Sequence, residues 1–346
     1  MNRPTTTKKT GEKKTAGKSE ITRVFSGATV GLIDPSLEQG GQWDVNLGDN
    51  IIVESVCSVL KDLCGLRVLT KIPSLRKLTG RHYHQLKNCS YIIVGGSNLL
   101  SSNMNKYRQW MITLLDLFRL KNVILLGVGW WQYQQNPNLY TKLLLRRVLH
   151  RTRYHSVRDH YTRDKLLSAG FHNVLNTSCP TTWCLTNEIL EQIPQHKAGD
   201  AITTVTCYNK DRNCDKRIIE LLLRCYRKVF FWSQGRGDQE YAQSLSSELE
   251  IIPSTLTAYD HFLENHSDLD YIGTRLHGGL RALQYRKRSL ILSIDNRTIE
   301  ITKDTKLPSI PRSDIADVET WIHAGERTDI RLPYDSINKW IAQFAG

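Results

Sequence analysis

The 346-residue chain lacks most of the short signatures that fix a function outright. Its eight cysteines (Cys57, Cys64, Cys89, Cys179, Cys184, Cys207, Cys214 and Cys225) include no CxxC pair. In a chain of this size they read as reduced, mostly buried thiols of a cytoplasmic protein. No apolar run reaches the ~18 residues a membrane span requires, and no apolar stretch follows the basic N-terminus as in a secretory signal. There is no GxGxxG, and Gly127-Val128-Gly129 is too short for a dinucleotide fingerprint. Metal-ligand patterns fail in the same way. Asp268-Leu269-Asp270 spells DxD but precedes a buried strand instead of following one, and His82 and His84 flank Tyr83 with no third ligand. Neither a metal nor a cofactor is therefore expected, and no internal repeat is found.

What the chain does contain is a core and an excess of positive charge. Hydrophobic residues make up 40% and charged residues 23%, which suits a soluble globular protein of two ordinary domains. Of the net charge of +13, the first 23 residues hold +5, from seven Lys and Arg against Glu12 and Glu20. That segment is biased to Thr, Gly and Lys and cannot bury apolar surface, so residues 1–25 are expected to form a disordered basic tail. The remaining +8 suits a polyanionic or phosphorylated ligand, although ordinary surface lysines and arginines explain it as well.

After the tail, strand-like and helix-like segments alternate. Apolar strand candidates are "ATVGLID", "LRVLTKI", "YIIVGGS" and "NVILLGVGWW", with shorter ones at "YHSVRD" and "NVLNTS". Helical spacing marks "NIIVESVCSVLKDL", "KYRQWMITLLDLFRL", "LYTKLLLRRVLH" and "YTRDKLLSAG". Continuous apolar strands between helices predict a parallel sheet covered on both faces. A polar stretch with Pro194 and Gly199 over 187–200 reads as a linker. A second series comes after it: "AITTVTCY", "KVFFWSQ", "LEIIPS", "LDYIG" and "RSLILSID". The expected class is α/β, with an N-terminal Rossmann-like lobe over 26–186, a C-terminal one over 201–346 and a central cleft. Ligands of such sheets bind beyond the carboxyl ends of the strands.

One stretch at such an end stands out. "LDYIG" leads into "TRLHGG", which delivers Arg275 and His277 to a strand-to-helix turn opened by Gly278 and Gly279. A helix N-terminus offers free N–H groups to an anion, Arg275 supplies a planar fork, and His277 can exchange a proton near neutral pH. A structural histidine beside a salt-bridged arginine would produce the same letters. Asp49 and Asn50 could bind acceptor hydroxyls or cap the next helix. Gly95, Gly96, Ser97 and Asn98 would let the backbone approach a ligand, as would any tight turn. Arg158 and Asp159 read most simply as an ion pair or helix cap. Trp130, Trp131 and Tyr133 offer aromatic faces to a sugar or to the core.

Taken in order, "NLGDN" (46–50), "YIIVGGSNLL" (91–100), "LLGVGW" (125–130), "SVRDHYTRDKLLSAG" (156–170), and "GTRLHGGLRAL" with "SLILSIDNR" (289–297) resemble the polysaccharide pyruvyl transferase family over about residues 40–300. Ser97 stands where a third glycine is common, and "NTSCPTTW" occupies a place where many members carry an Asp-containing segment. The resemblance implies a fold like the two-lobed GT-B glycosyltransferases. It also implies transfer of a pyruvyl group from phosphoenolpyruvate to two sugar hydroxyls as a ketal. His277 and Arg275 would then be catalytic. Arg275, Gly278, Gly279 and, near a family donor arginine, Arg212 would form the donor side. Asp49, Asn50, Gly96, Ser97 and Asn98 would form the acceptor side of a sugar or glycan, with no nucleic acid expected as a partner. Two other readings stay open: a glycosyltransferase using a nucleotide sugar in the same cleft, and a catalytically silent module binding anions or nucleic acid.

Overall fold

A computed structural model of the chain describes residues 20–37 and 46–345. Within them two parallel sheets succeed each other along the sequence. The first contains β1 (Thr29–Asp34), β2 (Arg67–Pro73), β3 (Tyr91–Gly95) and β4 (Val123–Leu126), in the spatial order β2-β1-β3-β4. The short pair β5 (His155–Val157) and β6 (Val174–Asn176) extends it beyond β4 through single bridges such as Val128 to Val157. Its helices are α1 (Leu47–Ser58), α2 (Gly80–Leu86), α3 (Leu139–Val148), α4 (His160–Ser168) and α5 (Asn187–Glu191).

The second sheet takes six strands: β7 (Asp200–Thr204), β8 (Val229–Trp232), β9 (Glu250–Ile252), β10 (Leu269–Gly273), β11 (Arg288–Ser293) and β12 (Ser309–Pro311). Their order is β12-β11-β10-β7-β8-β9. With them come α6 (Arg212–Cys225), α7 (Asp238–Leu245), α8 (Leu256–Asn265), α9 (Leu276–Gln284), α10 (Asn296–Thr305), α11 (Ile315–His323) and α12 (Tyr334–Ala342). Strands β4, β7, β8 and β10 are buried along their whole length. That explains why they read as unbroken apolar runs instead of alternating ones.

The lobes are joined by packing as well as by chain. Ile51, Ile52 and Val56 of α1 share one apolar core with Leu276, Leu280 and Leu283 of α9. Helix α12 crosses back from the C-terminal half onto the first lobe. Trp340 meets Trp183 edge-on, Phe344 meets Tyr91, and Tyr154 N donates to Gln343 Oε1 at 2.8 Å. The simple division at residue 201 is thus corrected at its end, where apolar contacts return α12 to the first lobe.

Three further expectations change. Of the segment read as a tail, 1–19 lie outside the described residues, whereas 20–25 lie on the fold. Ile21 and Val24 pack against the core, and Thr22 N donates to Asn338 Oδ1 at 2.8 Å. The stretch "KYRQWMITLLDLFRL" forms only the 3-10 helix Leu114–Phe118. Its Trp110 and Ile112 are buried in the core, and Met111 N donates to Ser74 O at 2.9 Å, which holds the preceding residues extended. The expected linker contains α5, anchored by buried Leu190 and Ile193.

Trp340 is fully buried where α12 meets the first lobe. Trp340→Ala should therefore cost about 3–5 kcal/mol, read as a lower urea midpoint at unchanged slope. A midpoint that does not move would show that α12 contributes nothing to joining the lobes.

Candidate functional site

In each sheet the strand order reverses once. The reversal lies between β1 and β3 in the first sheet, and between β7 and β10 in the second. At these points the connections leave to opposite faces and open a crevice at the carboxyl ends. The segments that leave those four strands converge there. Asp49 comes after β1, Ser97 and Asn98 after β3, Tyr208 after β7, and Arg275 and His277 after β10. The lobes touch at the same level. Leu47 N donates to Gln234 O at 2.9 Å, and Gln234 Nε2 donates to Asn46 Oδ1 at 3.1 Å.

His277 occupies the first turn of α9 and is buried. Its Nε2 lies 3.8 Å from Cys179 Sγ. Burial, and then the charges of Arg158 and Arg297, push its pKa down to about 3 against the pull of Asp295. The imidazole is therefore neutral at pH 7. Asp49 moves the other way. Burial raises its carboxyl to about 6, against hydrogen bonds from Ser97 and Asn46 and the charge of Arg297. Two titratable groups from two lobes thus have their pKa values displaced in opposite directions, an arrangement typical of functional sites. Both feel the same guanidinium.

That guanidinium, Arg297, lies in the first turn of α10. Asp295 caps the helix and accepts from Arg297 Nε at 3.0 Å, while Arg297 Nη2 also donates to the Tyr208 hydroxyl. Burial opposes its charge, but Tyr208 and Asp295 outweigh that and raise its pKa. Arg158 is fully buried after β5, and its Nη2 donates to Asn98 Oδ1 at 2.5 Å. Its Nε has no hydrogen-bond partner. Asp159 Oδ2 lies 3.5 Å from that Nε, while Asp159 Oδ1 caps α4 by accepting from Thr162 N. The pair and the cap both exist, and Arg158 additionally faces the site.

Arg275 differs from its expected role. Its fork is closed on Asp238, with Nε to Oδ2 at 2.9 Å and Nη2 to Oδ1 at 2.6 Å, and its ring neighbour is Tyr208. The guanidinium holds the turn before α7 and does not present a free fork to the cleft. Gly278 and Gly279 lie inside α9 and not before it. A side chain on Gly279 would sit 2.7 Å from Ile291 Cγ1, so this glycine lets α9 lie close on β11. Arg212 is engaged by Ser244: its guanidinium donates to Ser244 Oγ and O, beside a cavity of about 590 Å³ that Lys210 and Arg236 also line. Asp270 of the DxD sequence is buried against Arg288, with Nη1 to Oδ2 at 2.9 Å.

On the other lobe the cap of α1 is Asn46, whose side chain accepts from Gly48 N, and not Asp49 or Asn50. Asp49 is left in the first turn with Asn50 half-buried beside it. Gly96 has a φ of 70°, and a side chain there would meet Ile52 Cγ2 at 2.2 Å. Ser97, where the family favours glycine, also has a positive φ of 60°. Such a backbone costs a non-glycine residue about 1–2 kcal/mol, and Ser97 returns a hydrogen bond to Asp49 that glycine could not make. Sequence reasoning missed Arg297, Tyr208, Asp238 and Cys179. Only Arg297 left a signal, as the basic residue just past an Asp cap at the end of an apolar strand.

Two parallel-sheet lobes meeting over a cleft at their carboxyl ends define a GT-B-type fold. A profile of the polysaccharide pyruvyl transferase family matches residues 46–296, and the chain belongs to that family of transferases. No curated protein sequence matches it. Among solved structures, it is similar to the Methanocaldococcus jannaschii UDP-GlcNAc 2-epimerase in complex with UDP-GlcNAc and UDP, at 10% identity and a TM-score of 0.53, covering 91% of this chain and 98% of the other. S. aureus MnaA with UDP is similar at 14% identity and a TM-score of 0.50, over 90% and 93%. At such identities the likeness is one of fold.

The raised pKa of Asp49 has a consequence for stability. A carboxyl that binds its proton more tightly in the folded state contributes stability at low pH and loses it as pH rises through the folded value. Asp49→Asn should therefore stabilise the protein by up to about 3 kcal/mol. The gain should grow between pH 4 and about pH 6 and stay level above. Thermal melts of both proteins across that range check it, and a gain that shrinks with rising pH would contradict the assignment.

Proposed function

We propose that the protein transfers the pyruvyl group of phosphoenolpyruvate to two hydroxyls of a sugar or glycan, forming a ketal and releasing phosphate. The observation that carries this reading is the shared neighbourhood of His277, Asp49 and Arg297, where the two lobes meet. The donor is a compact anion with a carboxylate and a phosphate, and Arg297 and Arg158 offer it two guanidinium groups beside the N-termini of α9 and α10. Arg275 acts from behind, holding the turn before α7 through Asp238. Gly278 and Gly279 allow α9 to approach the sheet.

A neutral His277 can take the proton of the attacking sugar hydroxyl and pass it to the methylene carbon of the donor. The hydroxyl oxygen bonds to the carbon bearing the phosphate, and the double-bond electrons bind the proton. The C–O bond to phosphate then breaks as the second hydroxyl adds to the same carbon, and that hydroxyl's proton passes to the departing phosphate. Asp49, with Asn50, Gly96, Ser97 and Asn98, lines the acceptor side and hydrogen-bonds the sugar. The arginines offset the charge of the carboxylate and the departing phosphate. We place this chemistry in the cytoplasm, where the free thiols remain reduced.

A nucleotide-sugar transferase is the second reading. The basic cavity beside Lys210, Arg212 and Arg236 favours it, being able to take a diphosphate. Donor binding separates the two. A donor at about 100 times its dissociation constant adds about 2.7 kcal/mol to stability, so phosphoenolpyruvate should raise the melting temperature where UDP-sugars do not. The reverse result would favour the second reading.

His277→Gln preserves hydrogen bonding but cannot carry a proton near neutral pH. It should lower turnover by about 10²-fold or more with donor affinity little changed. Arg297→Lys should instead weaken donor binding, because it keeps the charge and loses the fork. Single-turnover rates and donor titrations of both variants read this out. Wild-type turnover in His277→Gln would make the histidine structural.

A further inference from the structure

The positive charge of the described chain is concentrated on one lobe. From Cys64 to Arg158 there are sixteen Lys and Arg residues and a single acid, Asp116. Asp116 is itself engaged: it accepts from the Tyr83 hydroxyl and from Thr113 N at 2.6 Å and Thr113 Oγ1 at 2.8 Å. The same stretch exposes large apolar side chains. Leu115 and Phe118 are each 81% exposed and Leu139 is 73% exposed, with Leu114 and Leu143 nearby in the chain and also open to solvent. The turn Leu114–Phe118 packs against α3. Helix α3 buries Thr141, Leu144, Leu145 and Val148. Its outer side therefore carries Leu139, Leu143 and Arg147 at successive four-residue steps, with Lys142 beside them.

We propose that this face, formed by α3 and the turn Leu114–Phe118, docks the protein on the surface of an anionic lipid bilayer. Apolar tips among unbalanced cations are what an interfacial surface needs: the leucines and the phenylalanine enter the headgroup boundary while lysines and arginines meet the lipid phosphates. Isolated exposed leucines are ordinary, but a contiguous cluster set in one-sided charge is not. A nucleic acid would use the cations and gain nothing from Leu115 and Phe118. Among the described residues no helix is long and apolar enough to cross a membrane, so the attachment is to the surface. Exposure and charge alone carry the docking face, whatever the identity of the donor.

Co-sedimentation of the full chain with vesicles tests it, using phosphatidylcholine alone and phosphatidylcholine mixed with phosphatidylglycerol. The wild type should pellet with the mixed vesicles and bind phosphatidylcholine far more weakly. Leu115→Glu/Phe118→Glu and Lys142→Glu/Arg147→Glu should each lower the bound fraction by about tenfold or more. All four positions are surface ones, and unchanged melting temperatures would show that the variants are folded. No binding by the wild type to the mixed vesicles overturns the proposal. So does wild-type binding by the Leu115→Glu/Phe118→Glu variant, which would assign the interaction to charge alone, as with a nucleic acid or through the basic N-terminal residues.

Discussion

Much of the site hangs on one side-chain amide. Asn46 Oδ1 accepts from Gly48 N, which starts α1, and from Gln234 Nε2, which belongs to the other lobe. The helix that carries Asp49 is therefore capped at the point where the lobes meet. Gly48 fits there because a side chain on it would lie 2.6 Å from Gln234 Nε2. On the facing side, Asp238 accepts from the Gly235 backbone and from Arg275, which fixes the turn that presents Gln234. A link thus runs from the Arg275–Asp238 pair through Gln234 and Asn46 to the first turn of α1. The buried arginine sets the geometry of the cleft through Asp238.

The energetics of that cleft run against stability. Asp49 is held in a place that resists its charge, and His277 in one that resists protonation. Arg158 leaves a buried Nε without a hydrogen bond, and Ser97 adopts a backbone better suited to glycine. Each of these carries an energetic penalty of order one to a few kcal/mol. Asp49, His277 and Ser97 lie beyond the carboxyl ends of strands, although a buried polar atom without a partner also occurs elsewhere, at Asp270 Oδ1 beside Arg288. Displaced pKa values and backbone strain of this kind are common at functional sites.

Among the described residues, eleven of the twelve strands lie in segments read as strands, and β12, with its three residues ending in Pro311, offers too short a run to be seen. Strands buried throughout, such as β4 and β10, show as continuous apolar runs, whereas β2 and β9, partly exposed, were legible from their β-branched and apolar residues between turns. Helical spacing misled at "KYRQWMITLLDLFRL", where tertiary contacts of Trp110 overrode it. At the site, His277 could be found because it comes just after β10, and Asp49 because it opens α1 within the stretch "NLGDN". The true partner of Arg275 could not, since Asp238 lies 37 positions away on another helix. The hydrogen bonds of Arg212 to Ser244 could not be read either, since one-dimensional spacing does not tell which side of a helix end a side chain takes.

Fold alone does not decide the donor. The UDP-bound relatives in shape share a two-lobed frame with this chain but little sequence, and a frame supplies a crevice with helix N-termini aimed into it. Such ends favour any phosphate, whether on a nucleotide or on an enol. Discrimination must come from side chains, and the groups that act on His277 are Arg158, Arg297, Asp295 and the Cys179 thiol. A neutral imidazole whose pKa is pushed down by burial and by two guanidinium charges is a poor base until an anion offsets them. An incoming anion that offsets those charges removes part of what depresses its pKa, so under the proposed mechanism donor binding would itself ready the histidine to hold a proton.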